Sequence, residues 1–158
     1  MSGYTPAGFN GDEERDWATD PNAPKASLRT KEQFLGLTCS EILNLRGADL
    51  DAACALLCMD DVTWDEEDRI WMRSNGGIFR PSSHLSHAAL ACDAMIKRGW
   101  NKLVIEKDRF WFAAMADRER HLITVTPLME TEAEARTMAC VLAAWKEFRP
   151  LGRDSLCP

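Results

Sequence analysis

Between Pro81 and Met115 the hydrophobic pattern changes its period once, and this change defines two elements and their order. From Leu85 to Ile96 apolar side chains recur every three or four residues, which predicts an amphipathic helix. Gly99 is expected to end this helix in the left-handed conformation. Beyond it the period falls to two in two short runs separated by a tight turn, which predicts a β-hairpin. A helix that leads directly into a hairpin indicates an α+β fold.

The second strand of this hairpin is apolar on both sides. Phe110 and Phe112 alternate with Trp111, Ala113 and Met115. A strand that is apolar in both directions is typical of one that is buried on both faces. We therefore expect a central strand that is covered on both sides.

Capping signals mark two further helical segments. Thr38 with Glu41 and Thr131 with Glu134 have the spacing of capping boxes. The faces expected to be buried are Leu50, Ala53, Cys54, Leu57 and Cys58 in one helix and Ala135, Met138, Ala139, Leu142 and Trp145 in the other.

Short strands are expected at residues 70–73 and 122–126. The predicted fold is therefore α+β, with a small antiparallel β-sheet of three or four strands packed with three main helices as an α-β-α sandwich. The 158 residues suit one domain. We assign residues 36–150 to it, residues 1–35 to a poorly packed N-terminal extension rich in glycine and proline, and residues 151–158 to a tail.

The charge balance limits the partners. The chain has 25 acidic and 19 basic side chains, for a formal net charge of −6, which argues against binding to duplex nucleic acid. Acidic residues are dense at residues 12–16 and 60–68. Solvated loops and mimicry of nucleic-acid phosphates are both compatible with these runs.

The apolar segments and the cysteines indicate a compartment. No apolar run is long enough to span a membrane, and none opens the chain as a signal peptide would. Cys54, Cys58, Cys92 and Cys140 fall on apolar helix faces, where free cysteine behaves as a small hydrophobe. These features favour a reducing cytoplasm.

Catalytic and metal signals are weak in this sequence. His84 and His87 are three residues apart, Cys92 follows on the same helix, and Cys54 and Cys58 are four residues apart, but surface histidines and core thiols explain these residues better than one tetrahedral metal site. Cys39 and Cys157 are least committed to a core, and neither has an activating motif beside it. We expect no enzyme activity, no cofactor and no metal.

Aromatic and basic groups near the start of the second long helix suggest ligand recognition. Ser82 or Ser83 is expected to cap this helix, whose first N–H groups favour an anion such as a phosphate. Tryptophan stacks on bases and arginine binds phosphates in a bidentate manner. Structural packing of the tryptophans is the competing interpretation. The candidate residues are Trp71, Arg73, Phe79, Arg80, Ser82, Ser83 and His84, with Trp64 beside them.

Four short motifs occur in a fixed order: a Gly-Ala-x-Leu-Asp-like helix start at Gly47–Ala55, a Pro-Ser loop at Phe79–His84, an aromatic strand at Trp111–Ala114 and an alanine-rich helix at Ala133–Ala144. Over residues 38–148 this order resembles the phage ABA sandwich domain, a family of small phage-encoded proteins of unknown function. The chain departs from the family at His84, where the family tends to carry an acidic side chain. The resemblance implies an α-β-α sandwich and an origin in a phage or prophage, and it supplies no catalytic residues.

These observations favour a non-enzymatic phage accessory protein that acts in the host bacterial cytoplasm against a defence system. Two mechanisms remain open. In the first, the protein sequesters a small nucleotide signal, for which a homo-oligomer is an option. In the second, it binds and blocks a host defence protein such as a CRISPR nuclease complex. Neither a membrane nor duplex nucleic acid is expected as a partner.

Overall fold

The computed structural model describes residues 30–148. These residues form five helices and two antiparallel sheets. The α+β class is confirmed, and the fold is a small sandwich of helices and sheet. The helices are α1 (Lys31–Leu35), α2 (Cys39–Leu43), α3 (Gly47–Cys58), α4 (Leu85–Lys97) and α5 (Glu132–Phe148). The strands are β1 (Val62–Asp65), β2 (Ile70–Arg73), β3 (Asn101–Lys107), β4 (Phe110–Asp117) and β5 (Leu122–Val125).

The larger sheet has the strand order β3-β4-β5, so β4 is central as predicted. Its inner face includes Ala113, Met115 and Thr124, which are buried and lie on the side of α5. On its outer face Phe110 and Ile123 are exposed. The expectation that β4 is covered on both sides is therefore wrong within residues 30–148. The sequence shows that both faces are apolar, but it does not show what covers them.

Helix α5 organises the core. It contacts α3, α4 and all three strands of the larger sheet. The buried faces predicted for α3 and α5 are confirmed, and α3 is buried on its other sides as well. In α4 the apolar face predicted from Leu85 to Ile96 is buried only in part, because Leu85 and Ile96 at its two ends are exposed while Ala88, Cys92 and Met95 are buried.

The packed region begins before the boundary at residue 36. A capping box between Thr30 and Gln33 starts α1, and the Phe34 side chain is fully buried in the core. The predicted box of Thr38 and Glu41 is also present and starts α2. Residues 1–29 of the proposed extension, and the tail at 151–158, lie outside the described residues.

Strand β1 is an element that sequence analysis missed. It pairs with β2 in a separate two-stranded sheet, with Trp64 opposite Trp71. Because β1 has only four residues and acidic side chains stand at both ends, no alternating apolar pattern identifies it.

A polar group that we call the Glu147 cluster joins the end of α5 to α4 and to the sheet. The Glu147 carboxylate accepts hydrogen bonds from Arg98 Nη1 at 3.1 Å and Trp100 Nε1 at 2.7 Å. It also accepts one from Arg120 Nη2 at 2.9 Å. Arg120 Nε donates to Asp117 Oδ2 at 2.6 Å. The cluster therefore ties together segments that lie far apart in the sequence.

Asp117 is ionised more readily in this cluster than in water. Burial opposes its ionisation, but hydrogen bonds from the backbone and side chain of Arg120 outweigh that effect. The pKa of the Asp117 carboxyl is therefore lower than usual.

Substitution of Gly99 tests how closely the end of α4 packs against Asp117. Its φ is +107°, and a Cβ added there would lie 3.2 Å from Asp117 Oδ2. Gly76 also has a positive φ, +91°, but a Cβ would meet nothing within 4 Å. We expect Gly99→Ala to lower the free energy of unfolding by about 2 kcal/mol and Gly76→Ala by about 1 kcal/mol. Urea denaturation of both variants checks this, and an equal loss would show that the contact with Asp117 contributes nothing.

Candidate ligand-binding site

The predicted site residues lie along the β1–β2 sheet and the segment that follows it. Met72 forms an isolated bridge with Ile78, and Phe79 N donates to the Trp71 carbonyl at 2.9 Å. Residues 78–80 therefore run antiparallel beside β2. Alternation along a strand places Trp64, Trp71 and Arg73 on one face, because Trp64 pairs with Trp71 and Arg73 pairs with Val62.

Three N–H donors on this face are buried without an acceptor among the described residues. They are Trp64 Nε1, Trp71 Nε1 and Arg73 Nε. The Arg73 guanidinium makes a 3.6 Å ion pair with Asp61, which is too long for a hydrogen bond. Buried polar atoms almost always have partners, and leaving one without a partner costs about 1–3 kcal/mol. Since all three atoms are donors, the group that would satisfy them is an acceptor such as a phosphate or carboxylate.

The Trp71 ring does not present an open face for stacking. Its edge-to-face contact with Trp64 has a centroid distance of 5.3 Å, and the side chain lies in the core. The part of Trp71 available for recognition is therefore the indole N–H rather than the ring face.

The loop before α4 is fastened to the start of α3 through Asp51. The Asp51 Oδ1 accepts a hydrogen bond from Ser82 N at 2.7 Å, and the Ser82 hydroxyl donates to the Gly47 carbonyl at 3.4 Å. Burial raises the pKa of Asp51 to about 6, against the lowering effect of the Ser82 hydrogen bonds and the Arg80 charge. A buried carboxyl that titrates near neutral pH beside an arginine is a feature of functional sites.

A pair of stacked histidines continues this loop. His87 Nδ1 accepts a hydrogen bond from Arg80 N at 2.9 Å, so this ring nitrogen carries no proton. The His87 ring stacks on His84 at 4.8 Å and on Phe79 at 6.3 Å. The backbone of Arg80 is thereby held against α4.

The serine caps expected for α4 are absent. His84 occupies the N-cap position and makes no side-chain capping bond. Ser82 is engaged by Asp51 and Gly47, and the Ser83 hydroxyl lies 3.5 Å from the Arg80 carbonyl. The first turn of α4 therefore has no side-chain cap, although the helix dipole at this end favours an anion.

Contacts join Trp71 to Phe79 and link Arg80 through His87 to His84, whereas Arg73 pairs with Asp61, and the predicted residues differ in exposure. Trp71, Phe79, Arg80 and Ser82 are buried, Arg73 and His84 are half-buried, and Ser83 is exposed. Sequence reasoning missed Asp51 and the packing role of His87. The available signal for Asp51 was an acidic residue inside an otherwise apolar helix.

The thiols form a separate buried group. Cys140 Sγ lies 3.6 Å from Cys92 Sγ, and the four cysteines on α3, α4 and α5 are free. Cys39 differs, because it takes part in a disulfide bond. Among residues 30–148 no group of three or more histidine, cysteine or acidic side chains is arranged to hold a metal ion.

Comparisons with known proteins leave the family open. No protein-family model matches the chain, and neither the curated proteins nor the solved structures contain a match. The resemblance to the phage ABA sandwich domain therefore stays a prediction from the sequence motifs. Across residues 30–148, no helix has the length and apolar character needed to cross a membrane.

Proposed function

We propose that the protein is a non-enzymatic binding protein that holds a small phosphate-bearing nucleotide between the β1–β2 sheet and the start of α4. The observation that carries this proposal is the set of three buried N–H donors on one face, on Trp64, Trp71 and Arg73. Phosphate and carbonyl oxygens of a nucleotide are acceptors, so they match an all-donor set. The uncapped first turn of α4 adds backbone donors nearby.

Entry of the ligand requires movement. The three donor atoms are shielded from solvent, whereas Arg73 and His84 as whole residues are half-buried. We therefore place the entrance at these two residues and expect the tryptophan pair to separate when the ligand binds.

The biological setting is part of the same proposal. A phage origin is implied by the motif resemblance, and the chain carries no recognisable catalytic motif. Sequestration of a nucleotide signal in the host bacterial cytoplasm would then counteract a defence system that depends on that signal.

Native mass spectrometry of the full chain with a panel of cyclic nucleotides and ADP-ribose tests the proposal. We expect one nucleotide to be retained and the Trp71→Phe variant to bind it about tenfold more weakly, because only the indole N–H is lost. Trp111→Phe, on the larger sheet, is the matched control. Trp71→Phe is preferable to Arg80→Ala, because Arg80 is buried near Asp51 and its truncation would disturb the fold.

Spectra without any retained nucleotide would contradict this function and favour the second candidate, inhibition of a host defence protein. One feature supports that alternative. The turn between β1 and β2 is held by Asp65 Oδ1, which accepts hydrogen bonds from Glu67 N at 2.9 Å and Asp68 N at 3.1 Å. This turn presents exposed carboxylates in a fixed arrangement, which suits electrostatic docking to a basic protein surface.

A further inference from the structure

The outer face of the larger sheet is a continuous apolar surface. The paired positions along β3, β4 and β5 place every second side chain on this face. Ile105 is 38 % exposed, Phe110 43 % and Ile123 59 %. We call this surface the outer sheet face and define it by Ile105, Phe110, Phe112, Ala114, Ala116, Ile123 and Val125.

The apolar composition of this face is unusual for a sheet face that is exposed to solvent. Antiparallel sheets with one solvated side normally alternate apolar and polar residues, but β4 is apolar in both directions. The inner face of β4 is covered by α5, whereas no element within residues 30–148 covers the outer one. The sequence of β4 is thus adapted to a second cover.

The charges on this surface identify a suitable occupant. The chain has a net charge of −6, so two copies repel each other on average. The outer sheet face has no acidic residue in the described strands, and Lys107 stands alone at its hairpin end. Two such faces can meet without bringing like charges together at the centre of the contact.

We propose that the outer sheet face binds a second copy of this chain through a two-fold axis. The two sheets would pack face to face at about 10 Å, giving a dimer with helices on both outer sides. An apolar patch of this kind is on the order of 400 Å² per copy, below the roughly 800 Å² per partner of a standard-sized interface, so the dimer should be weak and dissociate in the micromolar range. This inference is independent of the proposed nucleotide site, whose residues belong to other elements.

Sedimentation velocity of the full chain between about 1 and 200 μM tests the proposal. We expect the wild type to change from monomer to dimer over this range. Ile123→Lys should weaken the dimer at least about tenfold, because it places an unpaired charge within the apolar contact surface. Ile96→Lys is the matched control, since Ile96 is also exposed but lies on α4, and it should dimerise as the wild type does.

Three outcomes would overturn the proposal. A wild type that stays monomeric at every concentration would mean that something else covers the face, such as residues 1–29. An Ile123→Lys variant that still dimerises would indicate pairing along the free edge of β3 instead. Equal weakening by Ile96→Lys would show a non-specific effect of added charge. Circular dichroism of both variants establishes that they are folded.

Discussion

Glu147→Gln is expected to lower the free energy of unfolding by about 3 kcal/mol and the melting temperature by about 10 °C. The Glu147 carboxylate is the common acceptor for Arg98, Trp100 and Arg120. Its side chain is only 9 % exposed, so solvent screens the bonds to Arg98 and Trp100 weakly, and it screens the bond to Arg120 more because that side chain is 41 % exposed.

Glutamine fails in this position for two reasons. Its amide group is a donor where the wild type has an acceptor, so it opposes either Arg98 or the pair of Trp100 and Arg120. It also removes the negative charge that balances two guanidinium groups. Loss of one partner from a buried ion network is more destabilising than the net contribution of the network itself.

Urea and thermal unfolding of Glu147→Gln measure this effect, with Glu130→Gln as the control. Glu130 is exposed, and its replacement should change the stability by less than about 0.5 kcal/mol. If Glu147→Gln loses less than about 1 kcal/mol, the Glu147 cluster is a solvated surface network rather than a structural clamp.

Asp51→Asn is expected to stabilise the protein at pH 7 by about 3 kcal/mol. Burial raises the pKa of Asp51 to about 6 from its usual 3.8, and each unit corresponds to about 1.4 kcal/mol. Asparagine avoids the burial of a charge and keeps an oxygen that can accept the Ser82 N–H. The raised pKa already includes the attraction between the Asp51 carboxylate and Arg80. The expected gain in stability therefore already allows for the loss of that attraction in the variant.

The sign of the pH dependence follows from the proton binding of the two states. Between about pH 4 and pH 6 the folded protein holds a proton on Asp51 that the unfolded chain has released, so wild-type stability falls as the pH rises. Below about pH 4 both states are protonated, and the wild type and Asp51→Asn should have similar stabilities.

Urea titrations at about pH 3.5, 5 and 7 resolve this difference. Asp93→Asn, an exposed position on α4, controls for the loss of a carboxyl group. A stability difference between wild type and Asp51→Asn that is the same at all three pH values would refute the buried-charge explanation.

The elements with strong periodicity could be predicted from the sequence. The faces of α3 and α5, the end of α4 at Gly99 and the hairpin of β3 and β4 depend on neighbours within a few residues. Local patterns carry that information because the periods of helix and strand decide which side chains share a face.

The features that could not be predicted depend on contacts between residues that are distant in the sequence. Ser82 does not cap α4 because contacts with α3 hold it two residues before the N-cap: its backbone N–H donates to Asp51, 31 positions earlier, and its hydroxyl donates to the Gly47 carbonyl. The outer sheet face is apolar in the sequence, but only the packed structure shows that no element among residues 30–148 covers it. The three buried donors of the candidate site likewise appear only after β1 pairs with β2.

The position of α5 in the fold has a consequence for protein synthesis. This helix is translated after α3, α4 and the three strands of the larger sheet, and it contacts all of them. Until residues 132–148 have left the ribosome, the inner face of the sheet and the apolar sides of α3 and α4 have no common cover. A nascent chain that stops before α5 therefore exposes the kind of apolar surface that chaperones bind, and the core closes only after α5 emerges.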